Sequence, residues 1–274
     1  MSHSYSITAY LLISHGSRDP RPQLAMAKLA ELVHDQLLQL NNTQTRKFSL
    51  PNIEPTAPVP VASQNSYPLV GIATLELAPS TLHEQIQQFA NLALCTGYQK
   101  VQLLPLFLLP GVHVMEDIPA EAAIAQANLG DAIVLNLQPH LGAHPGLGRM
   151  LAKQLSLVAT DAKILFAHGS RRAGGNEPVE MLAEQLGAIA AYWLIPPTLE
   201  EQVIALADAG YQQITIVPYF LFSGGITDAM AQMVTRLQEQ FPQLQLRLSE
   251  SIAVTGELAK LVLDVGNGEL RIEN

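Results

Sequence analysis

The sequence predicts an α/β fold of two similar domains, each a parallel β-sheet with helices on both faces. Short apolar runs alternate with amphipathic stretches along the chain, which is the order of elements expected of parallel sheets. Runs such as KVQLLPLFLL are apolar at consecutive positions, as strands covered on both faces are. The tetrapeptide HGSR occurs at 15–18 and again at 168–171. An internal duplication therefore accounts for two similar domains.

Each element is predicted from the period of its apolar residues. In the first half we expect strands at about 9–14, 69–75, 100–108 and 131–137, separated by helices at about 22–40, 80–96 and 115–129. In the second half we expect strands at about 162–167, 189–194, 213–221 and 244–248, separated by helices at about 176–187, 198–210 and 226–241. The second half thus repeats the order of the first.

Two further pairs of segments support the duplication and define its limits. ELAPSTLHEQI at 76–86 matches WLIPPTLEEQV at 193–203, and LLPLFLLPGVH at 103–113 matches IVPYFLFSGGI at 216–226. We therefore expect an N-terminal domain at 1–145 and a C-terminal domain at 146–274. The first domain carries extra residues at 41–68, which are rich in Asn, Ser, Thr and Pro and lack an apolar period. This composition predicts a mobile surface insertion.

Composition excludes several classes of protein. The chain has 274 residues with 15 Lys+Arg and 24 Asp+Glu, a net charge of −9, which disfavours a nucleic-acid partner because phosphate neutralisation needs clustered cations. No apolar run approaches the ~18 residues that a membrane span requires. The single cysteine excludes an internal disulfide framework. We expect a soluble, cytoplasmic protein that binds neither nucleic acid nor membrane.

Three polar side chains of the first half stand where predicted strands end. His15 ends the first strand, Glu76 ends the second, and His113 lies in the loop after the third. Because ligands bind outside the carboxyl ends of strands in open parallel sheets, we expect these groups to face one cleft. Two imidazoles and a carboxylate suit a divalent metal such as Fe²⁺ or Co²⁺, and they equally suit proton removal near neutral pH.

The second half keeps only one of these groups. Aligned by the repeat, His15 faces His168, while the positions of the glutamate and the second histidine are occupied by Trp193 and Ile226. An indole and an aliphatic side chain offer no metal ligand or proton acceptor. We therefore expect one working site, in the N-terminal domain, and a degenerate site in the C-terminal domain.

These motifs resemble those of a known family. The two HGSR segments, TLELAPST at 74–81 and PLFLLPGVHVMEDIP at 105–119 are similar to those of class II chelatases, and above all to the long, internally duplicated sirohydrochlorin chelatases of the CbiX/SirB type. The resemblance covers nearly the whole chain apart from 41–68. It implies a protein of two chelatase-like domains that inserts Fe²⁺ or Co²⁺, as a metal substrate, into sirohydrochlorin for sirohaem or cobalamin synthesis, with no permanent cofactor. It also implies an active site of His15, His113 and Glu76.

The resemblance suggests roles for these residues. The two histidines would share the roles of metal donor and base, in an order that stays open, and Glu76 would neutralise the dication and relay protons. Because sirohydrochlorin is a polycarboxylate and the protein is acidic, the site needs local cations and N–H donors. Ser17, Arg18 and the backbone of Gly111 are the candidates for substrate binding.

Alternatives remain at this point. A metal-dependent hydrolase would use the same histidines to hold a metal-bound water, although it would need a more complete permanent metal shell than a chelatase, which must release its metal. A third possible function is that of a carrier that binds a tetrapyrrole or a metal ion without turnover. Iron is favoured mildly over cobalt because no His-rich tail or C-terminal cysteine cluster occurs, and nickel stays open. The fused halves resemble a dimer within one chain, which predicts a monomer.

Two more histidines follow the fourth predicted strand, within QPHLGAHPGLG at 138–148. His140 and His144 would lie on the same carboxyl edge as the predicted site. They either contact the edge of the substrate or stabilise the loop, and the prolines and glycines of this stretch favour the loop role.

Overall fold

The structure, a computed structural model, describes residues 8–47, 67–156 and 160–268. The first half contains β1 (Thr8–Ser14), α1 (Pro20–Lys47), β2 (Val70–Thr74), α2 (Leu82–Cys95), β3 (Lys100–Pro105), α3 (Ile118–Leu129), β4 (Val134–Leu137) and α4 (Gly146–Leu155). The second half contains β5 (Ala162–Ala167), α5 (Glu177–Gln185), β6 (Ile189–Tyr192), α6 (Leu199–Asp208), β7 (Gln213–Pro218), α7 (Gly225–Gln240), β8 (Gln245–Leu248) and α8 (Gly256–Gly266).

Each half forms one four-stranded parallel sheet, as predicted. The strand orders are β2-β1-β3-β4 and β6-β5-β7-β8, and every neighbouring pair is parallel. The chain leaves β1 toward β2 on one side and later returns to place β3 on the other side. The carboxyl end of β1 is therefore the point where strand order reverses, which is where open sheets bind ligands. His15 follows β1 directly.

The halves share a core because their last helices are exchanged. In α8, Gly266 lies against Tyr10 of β1 and Leu104 of β3, and the Tyr10 hydroxyl donates to Asn267 Oδ1 at 2.9 Å. In α4, Gly148 lies beside Leu182 of α5. One continuous apolar cluster contains the inner faces of both sheets, whereas the outer face of each sheet has a cluster of its own.

An ion pair also joins the halves at the carboxyl edge. Arg21, in the first turn of α1, donates from Nη1 to Asp228 Oδ1 of α7 at 2.9 Å and from Nε to Asp19 Oδ1 at 3.0 Å. These bonds to Arg21 lower the pKa of Asp19 to about 2. The division at 145/146 stays a prediction: α4 lies with the second sheet, as that division implies, but α8 lies on the first.

The largest differences from the predicted elements are the end of α1 and two helices that were not predicted. Helix α1 continues to Lys47, so the predicted end of this helix at 40 is wrong and the first residues assigned to the insertion are helical. Residues 48–66 of the insertion lie outside the described part of the chain. Helices α4 and α8 were not predicted, because glycines in their first turns weaken the helical signal.

Within the described ranges, no helix combines the length and the apolarity needed to cross a membrane.

Candidate metal and proton-transfer site

The three predicted side chains lie together at the carboxyl edge of the first sheet. His15 directly follows β1, Glu76 follows β2 by two residues, and His113 opens a π-helical turn (His113–Asp117) that leads into α3. Because β1 lies between β2 and β3 in the sheet, the three loops leave from neighbouring strand ends. The parallel topology thus brings together residues that are far apart in sequence.

A glycine allows the first two loops to meet. Gly16 has φ +99°, a left-handed conformation that favours glycine, and a Cβ built on it would lie 2.1 Å from the carbonyl oxygen of Glu76. The Glu76 N–H donates to the His15 carbonyl oxygen at 2.9 Å. Leu77, the next residue, has φ +61°, which is uncommon for a residue with a Cβ. The backbone of this turn therefore fixes where Glu76 stands relative to His15.

The side chains form a compact and accessible cluster. His15 Nε2 lies 3.9 Å from Glu76 Oε2, and the rings of His15 and His113 are 4.9 Å apart in an edge-to-face arrangement. One ligand atom from each of the three residues lies within 4.8 Å of the others. The side chains of His15 and Glu76 are 50% and 49% exposed. Among the residues that the structure describes, no second group of three or more His, Cys, Asp or Glu side chains meets in this way.

An aspartate that the sequence analysis did not select orients one of these histidines. His113 Nδ1 lies 2.7 Å from Asp117 Oδ2 within the π-helical turn. If Nδ1 carries the proton it donates to the carboxylate, and Nε2 keeps its lone pair for a metal or a proton. The four-residue spacing of the two side chains, which places them on one side of a helical turn, was the available signal. Asp117 therefore belongs to the site through His113.

Phe107 forms an apolar wall beside both imidazoles. Its ring centroid lies 6.4 Å from that of His15 and 6.4 Å from that of His113. The sequence analysis assigned this residue to the duplicated strand and gave it no role in the site. Its place in the loop after β3 brings it to the same strand-end edge.

The second half confirms the loss of two ligand types, but one pairing was wrong. Ser14 pairs with Thr74 across β1 and β2, and Ala167 pairs with Tyr192 across β5 and β6. The structural counterpart of Glu76 is therefore Leu194, whose N–H donates to the His168 carbonyl oxygen at 3.0 Å, and not Trp193. The sequence alignment was displaced by one residue because the loop before α6 is one residue shorter than the loop before α2.

His168 remains as the histidine of the second copy. Loss of hydration lowers the pKa of His168, and the charge on His15 lowers it further. At the two other positions the second half carries Leu194 and Ile226, which are 44% and 41% exposed and offer no ligand atom.

The three residues predicted to bind substrate, Ser17, Arg18 and Gly111, differ in exposure and in hydrogen bonding. Arg18 is exposed and lies three residues after His15 in the sequence. The Ser17 hydroxyl accepts a hydrogen bond from the Asp19 N–H at 3.0 Å, so it shapes the loop. The Gly111 N–H already donates to the Leu109 carbonyl oxygen at 2.9 Å, so the predicted free donor is occupied. Space beside the Gly111 Cα is open, with no atom within 4 Å of a Cβ built there.

His140 and His144 stabilise the loop after β4, in agreement with the preferred sequence interpretation. His140 Nδ1 lies 3.1 Å from the Phe107 carbonyl oxygen, and burial lowers the pKa of His140. His144 is 4% exposed, and its Nδ1 accepts from the Gly146 N–H at 3.0 Å. Its Nε2 lies 4.0 Å from Asp264 Oδ2 of α8. Burial lowers the pKa of His144, and the charge on Asp264 opposes that shift.

A cavity of about 530 Å³ lies at the carboxyl ends of β7 and β8, against the first turns of α1, and none of the three clustered side chains lines it. In the first half, Gly142 lets the loop after β4 approach the Leu108 backbone, because a Cβ there would lie 1.9 Å from the Leu108 carbonyl oxygen. The cavity is separate from the cluster.

Comparison with known proteins agrees with the duplicated fold. The CbiX family model matches residues 59–157 and again residues 162–265, one match on each half. The first match begins beyond β1 and α1, after most of the insertion. A structure of SirB from Bacillus subtilis with Fe³⁺ aligns with 96% of this chain and 95% of that chain, with a TM-score of 0.68 and 20% identity. At this identity the likeness shows the fold alone.

Two relatives with known names come from Priestia megaterium. A sirohydrochlorin cobaltochelatase is 23% identical over 180 residues, which are 60% of this chain and 58% of that protein. A sirohydrochlorin ferrochelatase is 22% identical over 192 residues, which are 65% of this chain and 70% of that protein. The chain thus spans less than two thirds of the length of the cobaltochelatase. The repeated match of the family model covers well over half of the sequence, and the chain belongs to the CbiX family.

Proposed function

We propose that this protein is a chelatase that inserts a divalent metal ion, Fe²⁺ or Co²⁺, into sirohydrochlorin. Family membership supports the class of reaction, and the relatives include both a cobaltochelatase and a ferrochelatase. The observation that carries the proposal is the exposed cluster of His15, Glu76 and His113, with ligand atoms within 4.8 Å of one another.

The cluster suits both halves of the reaction. Metal insertion removes two N–H protons from the macrocycle while the metal ion gives up its water ligands. Each imidazole can bind the ion through one nitrogen and accept a proton once the ion has left. In His113 that nitrogen is Nε2, because Nδ1 is engaged by Asp117. Glu76, 3.9 Å from His15, would balance the charge of the dication and pass protons to solvent.

Accessibility favours a chelatase over the two alternatives. A hydrolase holds its metal permanently, and a cluster of three solvent-accessible side chains is better suited to release. A carrier would bind metal or macrocycle at the same cluster but would not turn over. The Asp117 carboxylate that orients His113 supports proton transfer by this histidine rather than storage of metal or macrocycle.

The proposal is tested by mixing the protein with sirohydrochlorin and Fe²⁺, Co²⁺ or Ni²⁺ without oxygen and following the absorption spectrum. We expect many turnovers per protein with at least one of these ions. His113→Ala should abolish insertion, and its control His168→Ala should leave most of it. A spectral change stoichiometric with protein would instead identify a carrier, and equal loss in both variants would contradict a single site.

The choice between iron and cobalt, with iron mildly favoured, is settled by the relative rates in that assay. We also propose that the enzyme acts in the cytoplasm as a monomer. The apolar cluster shared by the two halves supports the monomer, because each half already covers the inner face of the other. Sedimentation at micromolar concentration tests it, and a dimer there would contradict it.

A further inference from the structure

The two HGSR loops adopt the same turn but carry opposite charges at one position. In the first loop the Ser17 Oγ accepts from the Asp19 N–H at 3.0 Å, and in the second the Ser170 Oγ accepts from the Arg172 N–H at 3.2 Å. The duplication therefore aligns Asp19 with Arg172. An acid in the working half corresponds to a permanent cation in the degenerate half.

Arg172 reaches the working site from the other half of the molecule. Its Nη1 lies 3.9 Å from Oε1 of Glu116, which belongs to the π-helical turn that His113 begins. The counterpart Asp19 behaves differently, since it pairs with Arg21 on its own half. The second loop thus brings a guanidinium to the rim of the cluster, where its first-half equivalent supplies none.

The backbone that carries Arg172 is held in place. The Asn176 side chain accepts from the Ser170 N–H at 2.8 Å and donates to the Ser170 carbonyl oxygen at 2.9 Å. The Gly175 N–H donates to the Arg172 carbonyl oxygen at 3.0 Å. The loop is therefore fixed by side-chain and main-chain bonds, while the Arg172 side chain itself is 51% exposed.

We propose that Arg172 binds a peripheral carboxylate of the tetrapyrrole and that Glu116 occupies this guanidinium until the substrate displaces it. The inference rests on the proposed function. An exposed pair at 3.9 Å contributes little to the stability of the protein, so a substrate carboxylate can replace it at small cost. A protein of net charge −9 that binds a polycarboxylate needs such a cation, and an arginine offers paired donors to a carboxylate.

Two variants with opposite expected effects test the proposal. Arg172→Ala should raise the KM for sirohydrochlorin about fivefold and leave kcat and the Co²⁺ affinity unchanged, whereas Glu116→Gln should lower that KM by about twofold. Arg172→Lys should restore part of the loss because it keeps the charge. The effect of Arg172→Ala should shrink as salt rises, since exposed charges are screened.

Arg236→Ala is the matched control, because it removes the same charge from the same half. Arg236 lies eleven residues beyond the start of α7, about 16 Å along the helix from the carboxyl edge. Equal KM values for Arg172→Ala and Arg236→Ala would overturn the proposal, as would a loss of kcat or of Co²⁺ affinity in Arg172→Ala. Binding of metal-free sirohydrochlorin is measured in parallel by fluorescence quenching. A wild-type protein that binds the macrocycle with no insertion would refute the chelatase, and the binding constants of the variants would still decide the role of Arg172.

Discussion

Replacement of Gly16 by alanine should damage the cluster and the fold together. Gly16 has φ +99°, and a Cβ there would lie 2.1 Å from the Glu76 carbonyl oxygen. The duplicate offers a matched variant, because Gly169 has φ +81° and its Cβ would meet side chains and no backbone carbonyl, with Tyr192 Cβ at 2.9 Å and Ile195 Cγ1 at 3.1 Å. The two glycines thus share the backbone requirement and differ in what the new methyl group strikes.

The magnitudes follow from these contacts. A residue with a Cβ in the left-handed region costs about 1–2 kcal/mol, which both variants should lose from the free energy of unfolding. In Gly16→Ala the Glu76 carbonyl must also move by roughly 1 Å to reach an ordinary contact, and we expect a total loss of about 2–4 kcal/mol. A displacement of that size at a reacting group can reduce the rate about a hundredfold.

Urea denaturation measures the loss of stability, and Co²⁺ titration with the insertion assay measures the site. We expect Gly16→Ala to be impaired in all three and Gly169→Ala in stability alone. If Gly16→Ala bound Co²⁺ and turned over as Gly169→Ala does, the close approach of the two loops would not position Glu76, and the account of the turn would be refuted.

Two other predictions concern Asp117 and His144. Asp117→Asn should weaken Co²⁺ binding by about 10- to 100-fold, because the amide no longer orients His113 as the carboxylate does; unchanged affinity in the titration would remove Asp117 from the site. Burial lowers the pKa of His144 in the folded protein, so the unfolded chain binds more protons as the pH falls below about 6.5. This group should therefore lower the free energy of unfolding by at most about 1.4 kcal/mol per pH unit. His144→Gln should lessen that loss in urea denaturation between pH 7 and 5.5, and an identical pH dependence would contradict it.

The duplication made most of the fold predictable. Repeated motifs and consecutive apolar runs predicted two parallel sheets, and both sheets have the expected strands. The same reasoning missed α4 and α8, whose first turns contain glycine. Their exchange between the sheets had no local signal, because which sheet a helix covers depends on contacts such as that of Gly266 with Tyr10.

The three residues of the cluster could be predicted from the sequence, but the details of their geometry could not. Histidine and glutamate at strand ends are visible in the sequence, and the parallel order implies a shared edge. The counterpart of Glu76 was misplaced by one residue because alignment cannot tell on which side of the loop a gap falls, whereas the strand register pairs Ala167 with Tyr192 and leads to Leu194. The four-residue spacing of His113 and Asp117 indicates a pair only if residues 113–117 are helical, and the sequence predicted the start of this helix at 115.

The sequence by itself determined the duplicated α/β architecture, the family and the three groups able to bind a metal ion, because these depend on residue types and on periods along the chain. Only the tertiary structure decided that Asp117 orients His113, that Gly111 has no free N–H, and that Arg172 of the second copy faces the first. The physical reason is that hydrogen bonds and ion pairs act over a few ångströms in space. The packing of the two halves against each other, which no local pattern encodes, sets those distances.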